Sequence, residues 1–208
     1  MKRSKFYLFL IAATALGSNA AQAGETCYGF SGLQDDRVFN IGETFEAEHL
    51  KMHVRNYIRN GATQDPAGHF MKVQSKRIAE STAAEQSEMY IYGATMQIVP
   101  RQPVAQIRFR LSENKGNDVA GRHANLQING KVHEVAGSLR DIDDRVFGDE
   151  ANGRYRVKVS LRQHGGDKDS KWFSGTMQVR ALSGQIASFG IGGTPMVVDD
   201  VCFTPNAP

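Results

Sequence analysis

Apolar and polar residues alternate with a period of two along most of this chain. Tyr155, Val157, Val159 and Leu161 fall on one side of an extended segment, and Arg156, Lys158 and Ser160 on the other. Ala105, Ile107, Phe109 and Leu111 alternate with Gln106, Arg108 and Arg110 in the same way, and Met177, Val179 and Ala181 with Thr176, Gln178 and Arg180. Side chains on a strand point to opposite faces in turn, so this period predicts half-buried strands. Leu126-Gln127-Ile128 runs into Asn129-Gly130, a strong hairpin signal, with 131–135 as the return strand. Further strands are expected over 38–45, 52–58, 70–78 and 89–99, and a last one over 196–203 after the Gly192-Gly193 break. Only 78–89, rich in Ala, Glu and Gln, favours helix, and Ser81, Thr82 and Ser87 reduce it to a loop with a single helical turn. The expectation is an all-β sandwich or barrel of about ten short strands. Asp-Asp-Arg-Val-Phe occurs at both 35–39 and 143–147, but the flanking residues do not match, so it reads as a recurring turn into a strand rather than a repeat.

The first 23 residues are different. Lys2, Arg3 and Lys5 precede an apolar run over 6–16, and Ala21-Gln22-Ala23 has the small-x-small form of a cleavage site. This is the layout of a secretory signal peptide, and the run is well short of the ~20 residues that span a bilayer. Residues 1–23 are therefore expected to be a signal peptide and 24–208 one β-sandwich domain, secreted or periplasmic, with no membrane span. The chain carries 25 Lys plus Arg against 22 Asp plus Glu. The excess of three lies wholly in the leader, so the remainder is electrically balanced. Bulk attraction to nucleic acid is thereby excluded as the main activity.

Cys27 and Cys202 are the only cysteines. In an oxidising compartment an even count favours a disulfide, and here only one pairing exists. The bridge requires Cα atoms within about 7 Å, so it would bring the two ends of the chain side by side on neighbouring strands. The alternative, a catalytic thiol, would need a partner base and would be open to oxidation.

Several stretches resemble a family of small exported bacterial β-sandwich proteins of unestablished activity. They are Cys27-Tyr28-Gly29-Phe30, Phe39 through Phe45, Glu88 through Tyr92, the hairpin at Asn129-Gly130, and the closing Phe189 through Gly193 and Val198-Asp199-Asp200-Val201-Cys202. The final Val-Asp-Asp-Val is also similar to the galactose-binding-like jelly roll of many carbohydrate-binding modules. The resemblance implies a jelly-roll-type sandwich whose first and last strands pair, a carbohydrate ligand, and a structural Ca²⁺ near the paired termini. Met196 and Val197 stand where the family often has an aromatic residue.

Asp199 alternates with Val197, Val201 and Phe203, so it is expected on an apolar face, where a carboxylate needs a partner. An Arg would serve. So would Ca²⁺, with Asp199 and Asp200 as ligands and Glu43, Glu46 and Glu48 supplying further oxygens. A salt bridge or a hydrogen-bonded turn is the simpler reading. The polar sides of three strands are basic, with Arg108 and Arg110 on one, Arg154, Arg156, Lys158 and Arg162 on another and Arg180 on a third. If those strands adjoin, one sheet presents a cationic face suited to carboxylate or sulfate groups; otherwise these are solvated charges that discourage edge aggregation. Trp172, the sole tryptophan, is a candidate sugar platform or a packing residue, and Tyr90 and Tyr92 share a strand face and raise the same choice. His49 and His53 would lie about 13 Å apart on a strand, too far to share a metal ion.

No Gly-x-Ser-x-Gly elbow, Walker loop or Rossmann fingerprint is present, and nothing picks out a catalytic set. The expected function is a non-catalytic exported module that binds carbohydrate, including anionic polysaccharide, through Trp172 or the basic face of Arg108, Arg110, Arg156, Lys158 and Arg180. A structural or adhesive role with a cell-envelope or protein partner, and a polysaccharide lyase on the same scaffold, are the alternatives.

Overall fold

Strands with one apolar side must bury it, and here two antiparallel sheets do so against each other. The computed structural model describes residues 24–47, 50–65, 67–75, 87–114, 123–149, 152–166, 172–193 and 195–206. The expected leader and the expected helical turn near 78 lie outside them. The strands are β1 (Thr26–Tyr28), β2 (Val38–Asn40), β3 (Thr44–Ala47), β4 (Leu50–Asn56), β5 (Ile58–Arg59), β6 (Ala62–Thr63), β7 (Phe70–Ser75), β8 (Ser87–Tyr92) and β9 (Ala94–Val99). They continue with β10 (Val104–Asn114), β11 (His123–Ile128), β12 (Lys131–Ala136), β13 (Val146–Gly148), β14 (Arg156–Gly165), β15 (Trp172–Ser183), β16 (Phe189–Gly193) and β17 (Met196–Pro205). The larger sheet has the order β13-β14-β15-β10-β17-β8-β7-β2, with β1 also paired to β17; the smaller has the order β12-β11-β16-β9-β4-β3. β5 and β6 form a separate hairpin.

The core lies between the sheets. Phe109 of the larger sheet meets Phe189 of the smaller with ring centroids 5.4 Å apart. At one margin Phe39 and Phe45 stack across the gap at 3.8 Å. At the opposite margin β12 is tied to the larger sheet: Lys131 Nζ donates to the Gly148 carbonyl at 3.2 Å, and His133 Nε2 lies 3.3 Å from the Tyr155 hydroxyl. A short 3₁₀ turn, Leu139–Ile142, buries Leu139 and Ile142 in the core. Ser138 caps it, and Ser138 Oγ and Leu139 N both donate to the fully buried Glu113 carboxylate.

The all-β expectation holds, and the Asn129-Gly130 turn joins β11 to β12 with both residues at positive φ, 51° and 84°. Two expected strands are split. The one over 38–45 divides at Ile41-Gly42 into β2 and β3, which belong to opposite sheets. The one over 89–99 divides at Gly93, where the chain crosses from the larger sheet into the smaller. Met89 and Ile91 are buried before that point and Ala94, Met96 and Ile98 after it, a one-residue change of phase that a strand of regular register does not make. Gly93 makes the crossing at φ 62°, with the His69 ring where a β-carbon would stand. Such splitting, with several strands of two or three residues, gives seventeen strands among the described residues rather than about ten.

Candidate binding face and end groove

A β-bulge sets the geometry of the last strand. Arg108 pairs with Cys202 and Arg110 with Asp199, so Asp200 and Val201 together face Phe109. Asp200 takes a φ of 48°, the left-handed conformation that a bulge uses. Before the bulge Met196 and Val198 enter the core; after it Val201 and Phe203 do. Asp199 therefore shares a side with Val197 and not, as the alternation predicts, with Val201 and Phe203. It is nevertheless fully buried, as is Glu88 on the adjoining β8. Among the described residues neither Asp199 oxygen makes a hydrogen bond of good geometry. Burial, followed by repulsion from Asp200 and then Glu88, pushes the Asp199 carboxyl up to about 6, against a weaker opposing pull from the Asp200 amide and Arg110.

Of the five expected calcium ligands, Glu48 lies outside the described residues and the other four do not form a set. Asp199 is buried on β17, and Asp200 pairs with Arg110 at 3.2 Å. Glu43 and Glu46 stand beside the edge of the smaller sheet, where Glu43 accepts from Asn40 N at 2.8 Å. Among the described residues the sole cluster within metal reach is Glu25, Cys27 and Cys202, and its sulfurs are joined to each other. Calcium requires six to eight convergent oxygens, so this donor arrangement does not fit it. His53 bonds Thr44 at 2.7 Å, and His49 lies outside the described residues.

Cys27 and Cys202 form the expected disulfide. They stand directly opposite each other on β1 and β17, with Cα atoms 3.9 Å apart. Arg108 covers the bridge, with Nη2 3.3 Å from the Cys202 sulfur and both Nε and Nη2 donating to the Glu25 carboxylate. Those hydrogen bonds hold the Glu25 carboxyl below its ordinary range.

The three basic strands adjoin, in the order β14-β15-β10. Their registers align Arg162, Thr176, Arg110 and Asp199 in one cross-strand row, Ser160, Gln178, Arg108 and Cys202 in the next, and Lys158, Arg180 and Gln106 in the third. The cations fall into two groups. Arg108 is engaged by Glu25, Arg110 by Asp200 and Lys158 by Asp144 at 2.9 Å. Arg156, Arg162 and Arg180 are exposed and have no ion pair among the described residues. Lys158 and Arg180 stand directly opposite each other, a like-charge arrangement that opposes sheet formation. On the far side of β17 the same face carries Phe70, Tyr90 and Tyr92, with centroids 5.8 to 6.5 Å apart. Trp172 enters the sheet opposite Asn114, and its side chain lies outside the described residues.

A groove of about 630 Å³ opens where β1 and the end of β17 meet the turn between β9 and β10. Its components are remote in sequence, which is why no local motif announces it. Glu88, too, was hidden by its place in a strand of otherwise ordinary alternation.

No family model and no curated protein matches the chain. Among solved structures it is similar to the K2 cleaved adhesin domain of Lys-gingipain, at 12% identity and a TM-score of 0.45, over 88% of this chain and 98% of that one.

Proposed function

We propose that this β-sandwich is an exported binding module for anionic carbohydrate, and that the outer face of β14 and β15 makes the contact. The observation that carries the reading is Lys158 opposite Arg180, with Arg156 and Arg162 exposed beside them. Like charges facing each other across a ladder destabilise a sheet. A polymer bearing carboxylates or sulfates would relieve that repulsion, and guanidinium groups match such anions with two parallel hydrogen bonds. The Cys27–Cys202 disulfide fits an oxidising compartment, as export requires. The resemblance of the closing Val198-Asp199-Asp200-Val201 to the galactose-binding-like jelly roll of carbohydrate-binding modules is a further support for a sugar ligand.

Titration with polygalacturonate, alginate and chondroitin sulfate, against dextran as the neutral control, tests the proposal. Binding to the anionic polymers should weaken with salt and be lost in the Arg156→Ala, Arg162→Ala, Arg180→Ala triple variant. Equal binding by the folded triple variant, or no binding to any of the polymers, would overturn it.

A further inference from the structure

The bridge between Cys27 and Cys202 stands on the outer side of the larger sheet. Val201 and Phe203 enter the apolar cluster between the sheets, so Cys202 points away from it, and neither cysteine is part of that cluster. The two cysteines differ in access: Cys27 is exposed, whereas Cys202 is 1% exposed. Arg108, the partner of Cys202 on β10, lies over the enclosed sulfur. Its Nη2 is 3.3 Å from Cys202 Sγ and 3.9 Å from Cys27 Sγ. Nε and Nη2 also donate to the Glu25 carboxylate, one oxygen of which is 4.0 Å from Cys27 Sγ. A guanidinium thus sits on the enclosed sulfur and a carboxylate beside the open one.

We propose that Cys27–Cys202 is a thiol-exchange site with a fixed direction, in which an incoming thiolate attacks Cys27 and Cys202 departs. In such exchange the attacked sulfur is chosen by access, and departure is faster for a more stable leaving thiolate. Access selects Cys27. A neighbouring cation lowers a thiol's pKa, and Arg108 supplies one at Cys202. Glu25 shares that guanidinium without exhausting it, because Arg has five N–H donors and Nη2 reaches both groups. The partner class is a dithiol reductant. Its first thiolate forms a mixed disulfide with Cys27, and the electron pair of the broken S–S bond leaves on Cys202. Its second thiolate then attacks its own sulfur in the mixed disulfide and releases Cys27. Two electrons and two protons pass to the protein, one proton to each thiol, and the reductant becomes a cyclic disulfide.

Opening the bridge frees one element. Among the described residues β1 pairs with β17 alone, over three positions, and it carries Thr26 and Tyr28 of the end groove. Reduction therefore releases β1 and with it one wall of the groove, while the other pairings of both sheets remain. The inference does not rest on the outer-face reading, because it requires no polysaccharide.

The test begins with the wild-type protein and reduced glutathione under native conditions, trapped at low conversion with N-ethylmaleimide and mapped by peptide mass spectrometry. Glutathione should be found on Cys27 and the maleimide on Cys202. Glutathione on Cys202, or shared equally, would overturn the proposal. The rate of reduction by dithiothreitol gives a second reading. Arg108→Gln should slow it about tenfold, the low end for a charged hydrogen bond, and Arg108→Lys should restore part of the rate. Glu25→Gln keeps the donor but releases the strand, and should speed reduction. If Arg108 merely pinned β1 through Glu25, both glutamine variants would react faster, and that outcome would refute the directional site. The wild-type rate should also be insensitive to urea below the unfolding transition. A rate that climbs in step with unfolding would show that the bridge is cut only in the unfolded chain, and the proposal would fall.

Discussion

Arg110 stands opposite Asp199 in the ladder between β10 and β17, yet its guanidinium pairs with Asp200, 3.2 Å away. The bulge turns Asp200 toward the arginine and leaves Asp199 buried without a well-formed hydrogen bond among the described residues. Burial raises the Asp199 carboxyl to about 6, so the folded protein binds a proton there that the unfolded chain has released. Stability contributed by this group is therefore present below about pH 4 and lost as pH rises to about 6. A rise of about two pH units corresponds to ~3 kcal/mol. Asp199→Asn removes the charge and keeps the shape. Urea unfolding of both proteins at pH 4, 5, 6 and 7.5 should show the variant gaining up to ~3 kcal/mol on the wild type across that window. A constant difference would show that Asp199 does not titrate there.

The disulfide closes a loop of 175 residues. In the chain-entropy model such a bridge contributes about 5 kcal/mol, because the unfolded chain loses the freedom of its ends. Replacing both cysteines with alanine should lower Tm markedly, and by more than any substitution on the exposed strand faces. Peptide mapping without reductant should recover residues 27 and 202 in one cross-linked species. Two free thiols in the folded protein would contradict the pairing of β1 with β17.

Glu113 holds the turn between β12 and β13. Its carboxylate accepts from Ser138 Oγ at 2.8 Å and Leu139 N at 3.2 Å, with no exposure to solvent. Glu113→Ala strands those donors in the interior and opens a void. The expected loss is about 2–4 kcal/mol by chemical denaturation. Glu113→Gln retains an acceptor and should lose less.

Where the alternation was regular, the sequence carried the structure: 105–111 and 176–182 lie within β10 and β15, and 155–161 spans the start of β14. The hairpin at Asn129-Gly130 was legible because its turn demands two residues at positive φ. What escaped were changes of phase. Gly93 sits inside a stretch, 89–99, that reads as one strand, and the mark of a crossing was the shift from odd to even buried positions. The bulge at Asp200 moved Asp199 to the other side because one inserted residue inverts the alternation beyond it. Adjacency was illegible for a different reason. The basic character of three strands could be read from local spacing, but their order β14-β15-β10 depends on pairings across the whole chain. The Glu25–Arg108 and Asp144–Lys158 pairs, which engage two of the cations, depend on the same long-range placement.

Arg180 separates a structural role for the cationic face from a binding one. It stands opposite Lys158 on β14 and Gln106 on β10, so an acid at this position would meet a cation across the ladder. Opposite charges in directly opposed positions contribute roughly 0.2–1 kcal/mol, and like charges oppose pairing. Arg180→Glu should therefore leave stability unchanged or raise it by up to ~1 kcal/mol. The same substitution should abolish binding of an anionic polymer, since it both removes a cation and adds a repulsive charge. Thermal unfolding and polygalacturonate binding, measured on the same preparation at low salt, would read the two effects separately. A more stable protein that no longer binds is the signature of a surface kept basic for its ligand, at some expense to the fold. A destabilised variant would instead place Arg180 among the contacts that hold β14, β15 and β10 together.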